Sequence, residues 1–341
     1  MRWPQSASDG GRCAAGHGGL GARFVGADRI GDCVPARARG RVHSVFERAC
    51  NIETPTGELV TLLAQALGNV PHGIRLAGPF APFEAWLAPG QYAILDGSAL
   101  CLPDAGITVD LTCAAVWRGA VATVSTDICS MEADGAAIAV SLRKLRATLI
   151  ERAPEQGFAP LLAPAAGARS SIERAFATRL SRTLPLLARA TERHDVTAIA
   201  GVAAQLVGLG PGLTPSGDDF IAGYLAALWS RAGFGSGLDA ILAPLADALA
   251  PLFLRTNAIS RQMLSDAARG RFAQRLVDVT VAISGGDDSV DATVRALASG
   301  HSSGADTLYG LLFGYAPHLA MQALARATRF ESSAGRVAVI A

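Results

Sequence analysis

The chain has 341 residues, half of them hydrophobic and 17% charged, with a formal net charge of +1. That length leaves room for two domains and a sizeable core, and the near-neutral balance offers no general field for nucleic acid. No basic cluster with interleaved aromatics occurs and no run reaches the ~18 apolar residues of a membrane span, so neither nucleic acid nor membrane is expected as a partner.

Residues 1–39 are rich in Gly, Arg and Ala without periodicity. Such a stretch cannot bury enough surface to offset its ordering entropy, and it reads as disordered or as an over-extended translation start. It contains no apolar segment that would make a signal peptide. The six cysteines (Cys13, Cys33, Cys50, Cys101, Cys113, Cys129) are scattered and include no Cys-x-x-Cys pair. Reduced thiols in a cytoplasmic protein are therefore expected, rather than zinc or disulfides.

Residues 40–125 carry a β pattern. Residues 41–46 and 106–111 alternate, and 92–95 and 98–102 flank an Asp96-Gly97 turn as a hairpin. Short strands at close spacing predict a small barrel or sandwich. From 134 to 330 the pattern is helical, over 136–152, 171–190, 196–207, 215–231, 238–254, 257–269, 272–284, 289–299 and 304–329, with a tail at 331–341. The fold class expected is α+β, a β-rich domain followed by an all-α domain. The segments 215–231 and 304–329 are apolar on nearly every face, which predicts two buried central helices. Gly223 and Gly310 sit inside them, where Gly costs ~1 kcal/mol against Ala, and a close crossing of the two helices would offset that cost.

Those two helices start from matching loops. Aligning Ser216 with Ser303 also aligns Gly217 with Gly304, Asp219 with Asp306 and Gly223 with Gly310, so each copy reads Ser-Gly-x-Asp-x-x-x-Gly. One copy alone reads as an ordinary capped helix start. The repetition, with more glycine than a cap needs (Gly210 and Gly212 before one helix, Gly300 before the other), favours a binding site for a small anion at paired helix N-termini.

Three familiar motifs fail on context. Residues 208–213 lack the third glycine of a dinucleotide fingerprint and follow a helix. Residues 212–219 have the spacing of a phosphate-binding loop but put Asp218 and Asp219 where Lys and Ser or Thr are required. Gly300-His301-Ser302-Ser303-Gly304 matches Gly-x-Ser-x-Gly, yet a helix precedes it and His318 lies roughly 20 Å along the next one. A serine hydrolase using Ser302 is thus the weaker alternative.

A carboxylate about 4 Å from a bound anion costs about 4 kcal/mol at an effective dielectric near 20. The 300–304 loop is accordingly the better anion cradle, while Asp218 and Asp219 would meet a cation, an amine or an arginine. Further along, Arg255, Thr256, Ser260 and Arg261 open another helix. They read equally as a grip for carboxylate or phosphate and as a capped, solvated helix start. His43, Asn51 and the turn 69–73 are the polar features of the β domain, and turn chemistry accounts for the last.

The strings Gly208–Asp219, Arg255–Gly270 and Gly300–Asp306, with Arg41–Asn51 in the β domain, resemble the AllH-like family, formerly a domain of unknown function. The resemblance covers about residues 40–329. It implies a subunit of an oxamate carbamoyltransferase-like assembly in purine (allantoin) catabolism, working with two further subunit types. There carbamoyl phosphate and oxamate interconvert with oxalurate and phosphate. The resemblance carries no catalytic residue over.

Carbamoyl transfer needs a phosphate cradle, oxyanion donors and a grip on a carboxylate. Asp219, Ser216 and Ser303 are the catalytic candidates. Gly210, Gly212, Thr214, Gly217, Asp218, Arg255, Thr256 and Ser260 are candidates for substrate binding, as are Gly300, His301, Ser302, Gly304 and Asp306. Asp218 and Asp219 are the metal candidates, with Mg2+ the cation considered. The competing reading is a non-catalytic structural or effector-binding subunit.

Overall fold

The computed structural model describes residues 23–78, 82–121, 131–162, 171–232, 237–285 and 289–322. Its first half is a barrel of strands β1 (Arg23–Gly31), β2 (Ala38–Val45), β3 (Ala49–Glu53), β4 (Leu59–Leu63), β5 (Gly73–Leu76), β6 (Tyr92–Leu95), β7 (Ala99–Leu102) and β8 (Ile107–Asp110). The strand order is β5-β4-β3-β2-β6-β7-β8-β1, and an antiparallel β1–β5 pairing closes the ring. A short β9 (Ala115–Trp117) runs parallel to the far end of β1. Closure leaves no long free edge, which suits strands this short. Alternate side chains point inward, and Cys50, Leu62, Ile74, Leu76, Leu102 and Val109 pack the interior. The expected hairpin is present: Asp96 accepts from the amides of Ser98 and Ala99 while Gly97 takes φ 98°.

The expectation of an unstructured segment 1–39 fails for residues 23–39. Residues 23–31 form β1, which pairs with β5 and β8 and so seals the barrel. β1 escapes a hydrophobicity-based reading because it buries few large apolar side chains. Its stability comes from backbone pairing on both edges and from the Asp28–Arg75 fork, with bonds of 2.9 and 2.8 Å. Residues 1–22 and the tail 331–341 lie outside the described residues, as do Cys13 and Cys129. Among the described residues Cys33, Cys50, Cys101 and Cys113 form no disulfide with one another.

The second half is helical: α1 (Met131–Arg152), α2 (Ser171–Glu192), α3 (Val196–Ala203), α4 (Ser216–Ala232), α5 (Asp239–Leu249), α6 (Ala258–Ala268), α7 (Gln274–Gly285), α8 (Ser289–Leu297) and α9 (Ser303–Tyr315). α4 and α9 are the central pair, buried along most of their length. Their backbones touch where the two glycines sit. A Cβ on Gly223 would stand 1.8 Å from the Thr307 carbonyl oxygen, and one on Gly310 would stand 2.0 Å from that of Phe220. Phe220 and Thr307 are themselves equivalent in the two copies, so the contact is reciprocal, as in a two-fold pair. Further along, Gly314 meets Ala227, again an equivalent pair. Contacts that advance in step along both chains mean the helices run parallel, with both N-termini at one end. α9 ends sooner than the periodicity suggests. Residue 316 is extended (φ −141°, ψ 76°) before Pro317, a residue that disfavours helical backbone in its predecessor, and 317–322 are helical again. The remainder of the expected 304–329 helix lies outside the described residues.

The barrel docks on α6 and α7. Gln262 Oε1 accepts from the Leu59 amide, and Gln274 Oε1 accepts from both N–H groups of Asn69. Gln274 in turn donates its amide to the Asn69 carbonyl, and Phe272 donates to that of Gly119. Among the described residues no helix is long and apolar enough to cross a membrane.

Candidate functional site

The parallel arrangement of α4 and α9 brings the two Ser-Gly-x-Asp turns side by side. Thr214 Oγ1 and Ser303 Oγ lie 2.6 Å apart. Asp219 is faced by the Ser303 and Thr214 hydroxyls, and Asp306 by that of Ser216. Each aspartate thus meets the serine of the other copy, an exchanged arrangement that follows from the two-fold relation. Gly217 and Gly304 allow the fit. A Cβ there would stand 1.9 Å from the Leu206 oxygen and 2.2 Å from the Ala296 oxygen, respectively. Gly210, at φ 118°, turns the first loop back over Ser216.

Both aspartates are buried, and the Oδ2 atom of each lacks a well-formed hydrogen bond among the described residues. Burial, then the facing Asp306, holds the Asp219 carboxyl well above its ordinary range, against the hydroxyls that favour its charged form. Burial likewise pushes Asp306 up to about 6, opposed by Ser216 and by the Phe158 and Ala159 amides that its Oδ1 accepts. The two carboxyls are not equivalent in setting. Asp306 is anchored to the 158–159 backbone, whereas Asp219 opens on a cavity.

That cavity is a cleft of about 1140 Å³ between barrel and helical body. Pro211, Gly212, Thr214, Ser216 and Asp219 line it from one loop and helix, and residues 299–304 line it from the other. Gly217 and Gly304 spend their amides on the Leu209 and Ser299 carbonyls, but no backbone carbonyl among the described residues accepts from the amides of His301, Ser302 or Ser303. These groups resemble the unpaired donors that bind anions at helix starts. The barrel wall adds Asn51, Thr61 and His72, and α6, the following loop and the first turn of α7 add Gln262, Asp266, Arg271 and Arg275.

Several expected residues stand elsewhere. Asp218 faces away from the cleft, where its two oxygens accept from the Gly208 amide at 2.7 Å and the Thr256 hydroxyl at 2.5 Å. Arg255 is exposed and donates to the Ala204 carbonyl. Asn257 caps α6 and donates to the Leu213 carbonyl, toward which the Ser260 hydroxyl also points. Thr256, Asn257 and Ser260 therefore brace the first loop from behind, and from this segment Ile259 lines the cleft. Cations on the cleft wall come from Arg271 and Arg275, which sequence reasoning passed over because they sit in the α6–α7 connection and the first turn of α7 without a motif. His72, assigned to turn chemistry alone, contacts Asp266 of α6 at 3.1 Å. Only the docking of two domains could reveal that pair. The nucleophile elbow remains unsupported, since helix α8 and not a strand leads into Gly300.

The structure is thus a closed barrel packed on a helical body, with a large cleft at their junction and paired helix starts on its wall. The chain belongs to the AllH family. Residues 23–116 match the AllH family N-terminal domain, and residues 206–315 match the oxamate carbamoyltransferase subunit AllH. No solved structure matches the chain.

Proposed function

We propose that this chain binds a small anionic metabolite in the cleft and takes part in carbamoyl transfer within the complex, with carbamoyl phosphate as donor and oxamate as acceptor. One observation carries the reading. Asp219 is a buried carboxyl on the cleft wall whose Oδ2 has no hydrogen-bond partner among the described residues, beside a loop at 301–303 whose amides meet no backbone carbonyl among them. An anion beside a charged Asp219 would be repelled, but burial and Asp306 favour the neutral acid, which donates a hydrogen bond instead. In this reading the amides of 301–303 and the Ser303 hydroxyl receive phosphate, and Arg271 or Arg275 the acceptor's carboxylate.

In transfer, the acceptor nitrogen attacks the carbamoyl carbon, the carbon–oxygen bond to phosphate breaks with its electron pair leaving on phosphate, and the nitrogen loses a proton. No protein nucleophile is needed. Ser303 and Asp219 act as donors to the developing charge, while Ser216 positions Asp306. Because Asp218 is committed to Gly208 and Thr256, a cation at this loop would find Asp219 alone of the two adjacent carboxyls.

The test is turnover by the complex reconstituted with its partner subunits. Asp219→Ala and Ser303→Ala are each expected to lower it about 10²-fold or more without loss of assembly. Full turnover from both variants would leave the chain a structural or effector-binding subunit. A fluorophosphonate probe is expected to leave Ser302 unlabelled, and labelling would revive the hydrolase reading.

A further inference from the structure

We propose that Cys33, His72 and Asp266 form a binding site for a thiophilic divalent cation, of which zinc is the type, at the seam between barrel and helical body. One ligand atom from each lies within 4.8 Å of the others, and His72 and Asp266 are buried. The three come from separate parts of the fold: just after β1, just before β5, and α6. A sulfur, an imidazole nitrogen and a carboxylate together suit zinc or a neighbouring transition ion, whereas magnesium prefers an all-oxygen set.

The hydrogen bonding around His72 points the same way. Gln262 Oε1 accepts from the Leu59 amide, which fixes the side-chain amide's orientation. Gln262 Nε2 therefore donates to Asp266 Oδ1 at 3.1 Å and stands 3.1 Å from His72 Nδ1. The same Nδ1 stands 3.1 Å from the Asp266 carboxylate. If Nδ1 accepts from Gln262, its lone pair faces the carboxylate. If Nδ1 carries a proton for Asp266, it faces another N–H donor. Either tautomer leaves one contact mismatched. A cation between Nδ1 and the carboxylate turns the repulsive pair into two ligands, with Gln262 holding Asp266 from behind.

Charge agrees. Asp32 pairs with Arg271 at 3.2 Å and the two cancel. Asp266 and a Cys33 thiolate then supply two negative charges for a divalent ion, the thiol proton passing to solvent as the sulfur–metal bond forms. His72 and Asp266 also line the large cleft, so the position left open by three protein ligands is available to water or to a cleft ligand.

The experiment titrates the tag-free full chain with Co(II) and then displaces it with Zn(II). One equivalent per chain is expected, with a thiolate-to-cobalt charge-transfer band and visible bands of tetrahedral intensity. Cys33→Ser is expected to abolish the charge-transfer band, and Asp266→Asn to weaken binding about 10-fold or more. A wild-type chain without that band, or a band that survives Cys33→Ser, overturns the site. Then Cys33, His72 and Asp266 are an ion pair beside an inert thiol. Should Cys33→Ser fail to fold, alkylation of the wild-type chain decides. Zn(II) must protect Cys33 and leave the exposed Cys113 reactive.

Discussion

Asp218 and Asp219 are neighbours in sequence with opposite situations. Asp218 satisfies a backbone amide and a hydroxyl, while Asp219 keeps an oxygen with no partner among the described residues. Asp218→Ala would leave the Gly208 amide and the Thr256 hydroxyl unpaired, a cost of about 1–3 kcal/mol in denaturant unfolding. Asp219→Asn should cost little stability or add some, while activity in the complex falls, since a poorly satisfied buried acid is itself destabilising. Equal stability losses from both substitutions would contradict this division. Asp306 makes a pH statement. Its folded-state value of about 6 lies above the ordinary 3.8, so the folded chain binds more protons between those values and stability falls as pH rises through the window. Asp219 acts in the same direction. Asp306→Asn keeps an acceptor for the Phe158 amide, and it should remove part of the slope between pH 4 and 7, on the order of 2 kcal/mol, in thermal unfolding followed against pH. An unchanged slope would mean that Asp306 is not the titrating group.

The α4–α9 pair is the element on which the site depends. Its backbones meet with no room for a β-carbon, so Gly223→Ala or Gly310→Ala must push the helices apart and displace both serine–aspartate contacts. Destabilisation of about 3 kcal/mol or more is expected for each, read by denaturant unfolding. Gly201 in α3 is the control. Among the described residues nothing lies within 4 Å of its added Cβ, and Ala there should stabilise by ~0.5–1 kcal/mol. Similar effects at the three glycines would show that helix propensity, and not the crossing, sets the response. Much of this element was legible beforehand. Two segments apolar all round, each with a glycine at the same offset from a Ser-Gly-x-Asp turn, imply burial and close approach. The repeated turns led to paired N-termini at one end, but periodicity by itself fits either direction equally well, and the helix contacts are what fix the parallel sense.

For the whole molecule, the cleft is a product of docking. Gln274 holds Asn69 through three hydrogen bonds, two accepted by its side chain and one donated by its amide, and so fixes the loop that presents His72. Gln274→Ala should cost about 1–3 kcal/mol and speed hydrogen exchange at residues 68–73, while the barrel's β6–β8 core stays protected. Uniform deprotection of the barrel would show that the two domains unfold as one unit. The interface also explains which cations line the cleft. Arg255, a candidate grip for a substrate anion by sequence, sits on the outer side of the first loop, and Arg271 and Arg275 line the cleft because the α6–α7 connection and the start of α7 press against the barrel.

By itself the chain's pattern settled the division into a β-rich half and a helical half, the two buried helices, and the repeated turns that open them. These are local matters of periodicity, turn chemistry and the room a glycine leaves. Tertiary structure alone decided that β1 closes the barrel, that each aspartate meets the other copy's serine, that Asp218 turns away while Asp219 faces the cleft, and that Cys33, His72 and Asp266 converge. Each of those joins residues far apart in sequence, where no short-range signal constrains the distance.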